Sequence, residues 1–295
     1  MQNEAEQVAF GPWSLGLVNN TDEYSVPYEG LLTADDVDID REGIATTRAK
    51  WGQEDGAHYS SVFEHNGITY AVRDSEVGVV GDAQFTSIAA VAGPISWTVL
   101  DGAAVYSDYT SIYTIRDAVA YPLDTGFFVD EEEMEYQLAP MPGGSEIHAW
   151  RGRLIVVRGN SLIWSEALRY GAYSAARNFI RFGERIFWAV PMSTGIYVGL
   201  RNEVVFLAGT DPNQFTIKPV GGESAPGVAA LLDTRHSGKG GEELALWFTD
   251  VGIAIGRPSG EVSYPQAERL KGLSLLPGKM VVEGDRVYIF TTKEY

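Results

Sequence analysis

The chain has no cysteine, so neither a disulfide framework nor thiolate chemistry can be built from it. Only four histidines occur (His58, His65, His148 and His236), none spaced as a metal-binding pair. Arg and Lys number 22 against 40 Asp and Glu, a net charge of −18. That balance argues against a phosphate-binding face, because affinity for nucleic acid comes from clustered cations. No apolar run reaches membrane-spanning length. The start, Met1-Gln2-Asn3-Glu4-Ala5-Glu6, lacks the basic and apolar regions of a secretory leader, which predicts a soluble protein synthesised in the cytoplasm. A phosphate loop ending in Gly-Lys-Ser/Thr and a Gly-x-Ser-x-Gly elbow are both missing. The repeated Asp box of sialidases is missing too. No catalytic constellation, cofactor or metal is expected. Carboxylates are plentiful, but abundance alone does not set a pair at glycosidase separation.

What the chain does have is a recurring β pattern. Hydrophobic residues make up 45% of it and aromatics 12%, enough to bury a sizeable core. From residue 146 to 220, two consecutive copies of a strand–turn–strand–strand unit can be read. The first is Glu146–Trp150, a turn at Arg151-Gly152, then 154–157 and 162–164. The second is 186–190, a turn at Ser193-Thr194-Gly195, then 196–200, 203–207 and 215–220. Earlier units run through 60–64, 68–73 and 77–80, and through 95–100, 103–106 and 111–115. Asn66-Gly67 and Asp101-Gly102 between apolar runs are two-residue hairpin signals. A fifth unit has 228–232, 244–249, 253–256 and 261–264, and a sixth has 279–282 and 286–291.

The first-hairpin glycines stand at 67, 102, 152, 195 and 284, with a longer connection near 241, so the repeat is roughly 35–50 residues, the range of β-propeller blades. The sixth unit has only two strands, and the hairpin over 36–48 is a pair without partners. The expectation is an all-β chain: a six-bladed propeller of four-stranded antiparallel blades over 34–295, its last blade closed by N- and C-terminal strands. Such closure leaves no open sheet edge. The alternative is a pair of β-sandwiches.

Two stretches invite sharper readings. Asp36, Asp38 and Asp40 alternate as in a calcium loop, but Arg41 stands where glycine is required and Thr47 where glutamate is required. Alternation with Val37 and Ile39 fits a strand with one wet face. Residues 1–33 show no regular element, and Phe10, Pro12 and Trp13 make an extended arm that packs on its own domain or on a neighbouring subunit. The run Asp130, Glu131, Glu132 and Glu133 reads as a solvated loop.

A resemblance adds to this. Trp164-Ser165-Glu166-Ala167-Leu168-Arg169-Tyr170-Gly171, then Gly195-Ile196-Tyr197-Val198-Gly199 and Val204-Val205-Phe206-Leu207-Ala208-Gly209-Thr210-Asp211-Pro212, resemble phrases found in that order in virion proteins of tailed bacteriophages. Phe10-Gly11-Pro12-Trp13 and Val37-Asp38-Ile39-Asp40 with Gly43 are also similar to that family. The likeness runs from about residue 9 to 290, with Ala167 in place of an expected proline. It implies a structural, non-enzymatic tail component, similar to the propeller-containing hub or nozzle subunits of short-tailed phages. Those form rings with other tail proteins, and genomic DNA passes through them without specific binding.

On that reading Asp130, Glu131, Glu132, Glu133 and Glu223 are candidates for an acidic wall, and Phe10, Pro12 and Trp13 for an assembly arm. Arg169, Tyr170 and Tyr173 lie in a candidate partner loop. The alternatives are a receptor-binding or fibre-attachment component and, further off, a glycan hydrolase.

Overall fold

In the computed structural model, the described residues are 58–81, 84–124, 138–222, 224, 226–232, 242–249 and 252–265. Strand segments at 16–17, 30–31, 37–39, 45–47, 278–283 and 286–291 are described as well. They form five four-stranded antiparallel sheets in chain order. The first comprises Ser61–His65, Ile68–Arg73, Glu76–Val80 and Phe85–Ala90. The second comprises Ser96–Leu100, Ala103–Ser107, Ile112–Arg116 and Val119–Pro122. The third has Glu146–Trp150, Arg153–Arg158, Ser161–Trp164 and Phe179–Arg181. The fourth has Ile186–Met192, Gly195–Leu200, Val204–Ala208 and Thr216–Gly221. The fifth has Ala229–Leu232, Leu244–Thr249, Gly252–Gly256 and Val262–Ser263.

The turns follow the sequence. Asn66-Gly67 and Asp101-Gly102 have both residues at positive φ (52° and 75°, 48° and 77°), the geometry that matches the twist of two paired strands. Each hairpin therefore sets its register locally, Phe63 facing Tyr70 and Val99 facing Ala104.

Neighbouring sheets pack through their first strands, which touch in succession from the second sheet to the fifth and on to Gly278–Glu283. The free edge of such a strand carries amides with no ladder partner, and side chains of the preceding sheet cap them. Ile147 N donates to Ser96 Oγ at 3.0 Å, Ala149 N to Thr98 Oγ1 at 3.0 Å, and Ala189 N to Glu146 Oε2 at 2.8 Å.

Aromatic rings fill the spaces between sheets. Phe63 stacks on Trp97 at 5.3 Å between the first and second sheets. Trp150 meets Phe215 at 5.7 Å between the third and fourth, and Trp188 meets Trp247 at 5.7 Å between the fourth and fifth. Fully burying one such ring contributes about 1.5–3 kcal/mol. Gly199 is obligatory for this packing, since a Cβ there would sit 2.1 Å from Trp188 Cε2.

Four findings differ from the sequence reading. The fourth strands Phe85–Ala90, Val119–Pro122 and Phe179–Arg181 were not expected; they are short or largely exposed, so their apolar periodicity is weak. The segment after Trp164, expected as a loop, also holds Ala172–Ser174, paired with Leu138–Pro140. Within the expected arm, Gly16–Leu17 and Gly30–Leu31 form a short parallel pair. The terminal hairpins, Val37–Ile39 with Ala45–Thr47 and Gly278–Glu283 with Arg286–Thr291, stand as two separate two-stranded sheets. Phe10, Pro12, Trp13, Asp130, Glu131, Glu132, Glu133 and Glu223 lie outside the described residues.

Candidate functional site: a cationic cleft and a tethered loop

The loop carrying Arg169, Tyr170 and Tyr173 joins the third and fourth strands of the third sheet. It is tied down along its length. Leu168 N donates to Gly152 O at 2.7 Å, Glu166 N to Ala172 O at 2.8 Å, and Met141 N to Gly171 O at 2.7 Å. Buried Ser165 accepts from Leu154 N at 2.9 Å, while its carbonyl accepts from Arg153 Nη1 at 2.7 Å. Glu166 is engaged by Asn178 Nδ2 at 2.8 Å and Arg177 Nη2 at 3.0 Å.

Tyr170 OH donates to Asp101 Oδ1 at 3.2 Å, joining this loop to the second sheet. Burial, with the Asp101 charge beside it, raises the Tyr170 hydroxyl above the usual tyrosine range. Tyr170 and Tyr173 both pack against the cluster around Leu100 and Leu154. Both tyrosines are thus half-buried struts within the molecule. The large apolar side chain this loop offers to solvent is Leu168, 77% exposed and held at φ 58°.

A second feature was not read from the sequence. Chain direction alternates along a meander, so the start of the first strand, the second turn and the exit to the next sheet all meet at one end of the fourth sheet. There they bound a cleft of about 830 Å³ lined by Glu184, Arg185, Phe187, Arg201, Asn202, Ser224 and Pro226. Glu184 is occupied: both its oxygens accept from Asn202, one from the backbone N–H at 3.2 Å and one from Nδ2. Ser224 Oγ donates to Leu200 O at 3.0 Å, fixing the exit segment. Arg185 and Arg201 are exposed, and among the described residues neither guanidinium has an ion-pair or hydrogen-bond partner.

Two arginines of the third sheet, Arg158 and Arg151, are in use. Arg158 donates to Gly143 O at 2.9 Å and lies 5.5 Å from the Tyr109 ring centroid. Arg151 donates to Ser193 O at 3.0 Å.

The signal that would have found the cleft is charge segregation. The third and fourth sheets, residues 146–221, carry nine Arg or Lys against five Asp or Glu, while the rest of the chain carries 13 against 35. A cationic island thus sits on an acidic chain. Its arginines suit carboxylate or phosphate oxygens, which guanidinium binds through paired N–H donors. Among the described residues no group of three or more His, Cys, Asp or Glu could hold a metal ion, and no helix is long and apolar enough to cross a membrane. Among the described residues the perturbed carboxyl is Asp108, at a turn of the second sheet. Burial pushes it up, but hydrogen bonds from Thr110 Oγ1 and from the amides of Ser111, Ala92 and Thr110 outweigh that and hold it below the ordinary range.

No protein-family model matches the chain, and no curated protein sequence matches it. Among solved structures, the N-terminal domain of Nup159 is 10% identical, with 84% of this chain and 76% of that one covered at a TM-score of 0.53. The extracellular domain of the putative one component system BT4673 from B. thetaiotaomicron is also 10% identical, at a TM-score of 0.50. That match covers 84% of this chain but only 33% of the other, so the chain spans about a third of that domain. The likenesses concern architecture alone. Together with the succession of four-stranded sheets they make the fold all-β and β-propeller-like.

Proposed function

We propose that the chain is a non-enzymatic structural component of a bacteriophage tail. In this reading it is a hub, nozzle or tail-tip subunit, made in the host cytoplasm and resident in the virion. It assembles with its own copies and other tail proteins beside the path of the leaving DNA. The observation that carries this is the ordered set of phrases at Trp164 to Gly171, Gly195 to Gly199 and Val204 to Pro212. The structure gives those phrases structural duties: the first is the tethered loop, the second a wholly buried strand, and the third ends where Asp211 caps the short helix Pro212–Gln214. Residues spent on packing suit a scaffold. The net charge of −18 supports passage of DNA without capture.

The finer architecture belongs to the same proposal: the hairpins at 37–47 and 278–291 join as a sixth sheet that closes the ring. Electron microscopy of intact particles tests both points. The expected result is this chain at the tail, in a ring of copies, with the two hairpins in one sheet. Purified protein should also show no salt-sensitive binding of duplex DNA. Absence from particles, or micromolar DNA binding lost on adding salt, overturns the reading. The exposure of Leu168 at the loop tip favours a second reading, a receptor-binding or fibre-attachment component. That version predicts that Leu168→Asp abolishes adsorption while leaving particle assembly intact.

A further inference from the structure

We infer that the Arg185 and Arg201 cleft is a docking site for a carboxylate-rich segment, and that the segment is the run Asp130, Glu131, Glu132 and Glu133 of a second copy of this chain. The inference rests on the homo-oligomeric part of the reading above and names the contact that would build the oligomer.

Three observations lead to it. The cleft offers two exposed guanidiniums, and among the described residues these have no partners, while the one carboxylate of its described lining, Glu184, is held by Asn202. The surrounding two sheets are net cationic, and everything else in the chain is strongly acidic. The chain itself also carries a run of four consecutive carboxylates, with Glu135 close behind. Guanidinium binds phosphate as readily as carboxylate, so charge sign alone does not select the ligand. What commits to the carboxylate run is that the chain itself carries it: the mutual repulsion of two copies at −18 each is screened beyond about 10 Å, leaving the local cationic field to act on the run. Cleft and run are different segments of the chain, so pairing them between copies is heterologous, the type of contact that generates rings when its rotation closes.

The test is a charge swap. Arg185→Glu with Arg201→Glu should weaken self-association about tenfold or more, read by sedimentation or native mass spectrometry. Lys at positions 130, 131, 132 and 133 should do the same. Mixing the two variants should restore association, because the lysine run of one meets the glutamate cleft of the other. Unchanged melting temperatures would show that the variants fold; if the glutamate pair does not fold, Arg185→Gln with Arg201→Gln replaces it.

A labelled peptide of residues 127–137 supplies an independent arm. It should bind the wild type, lose affinity as salt rises to about 0.5 M, and fail to bind the Arg185→Glu, Arg201→Glu protein. Several results would overturn the inference: unaltered association in both variants, no rescue on mixing, or no peptide binding. So would a monomeric wild type that binds the peptide only after its own run is neutralised, since the run would then occupy its own cleft. Duplex DNA binding lost in the arginine variant would sink it together with the passive role proposed above. Failure of the charge swap with the chain still present in virions would remove the contact alone.

Discussion

The fourth sheet and the first are built from the same four-strand meander yet are packed to different depths. In the fourth, every residue of Gly195–Leu200 is buried, and Trp188, Tyr197 and Phe206 are at most 1% exposed. In the first, Ser61–His65 alternates between half-buried and exposed, and Val62 is 60% exposed. The fourth sheet has the third on one face and the fifth on the other, through two separate apolar clusters. Among the described residues, the first shares one cluster, with the second sheet. A sheet in such an array is therefore as stable as its neighbours make it, and strand sequence alone does not set burial.

The largest test of that contrast is a pair of truncations. Trp188→Ala should cost about 3–5 kcal/mol, whereas Val62→Ala should stay within about 0.5 kcal/mol, both read by denaturant unfolding. Equal costs would abolish the distinction. Between these extremes lies Asp108 in the second sheet. Asp108→Asn should destabilise by about 1–3 kcal/mol at neutral pH, because amide donors lose a charged acceptor in a buried turn.

The pH dependence has a defined sign. The folded carboxyl sits below its unfolded value of about 3.9. Its contribution is thus complete above that value and is lost as pH falls through the lower folded one. Melting curves from about pH 5 downwards should show the wild type losing its advantage over the variant in acid.

The smallest effect is a gain. Asp74-Ser75 turns with φ 51° and 64°, so Ser75→Gly should relieve left-handed strain by about 0.5–1 kcal/mol. A rise in global melting temperature would place the first sheet in the same cooperative unit as the fourth. Slower amide exchange confined to the first sheet would make it a separately opening unit.

Much of this was legible in advance. The first three strands of most units could be read because each is a short apolar or alternating run bounded by turn residues, and Asn66-Gly67 and Asp101-Gly102 announce their turns. The outermost strands escaped because they bury little: Val119–Pro122 is mostly exposed and ends in proline. The loop carrying Tyr170 and Tyr173 was singled out, but their role as struts was not readable, since nothing local to Tyr170 says that Asp101 lies opposite. Arg185 and Arg201 are 16 positions apart on two turns, so only a folded meander shows that they share a cleft. The uneven distribution of charge was countable from the residues and would have pointed there.

The keyed amides carry a lesson about how such a chain can change. Ser96, Thr98 and Glu146 each serve a backbone donor in the following sheet. Deleting or duplicating one repeat would leave those locks facing the wrong tumblers. Growth and shrinkage during evolution should therefore fall in the links between repeats, such as the long stretch after Pro122, while the order of the repeats stays frozen.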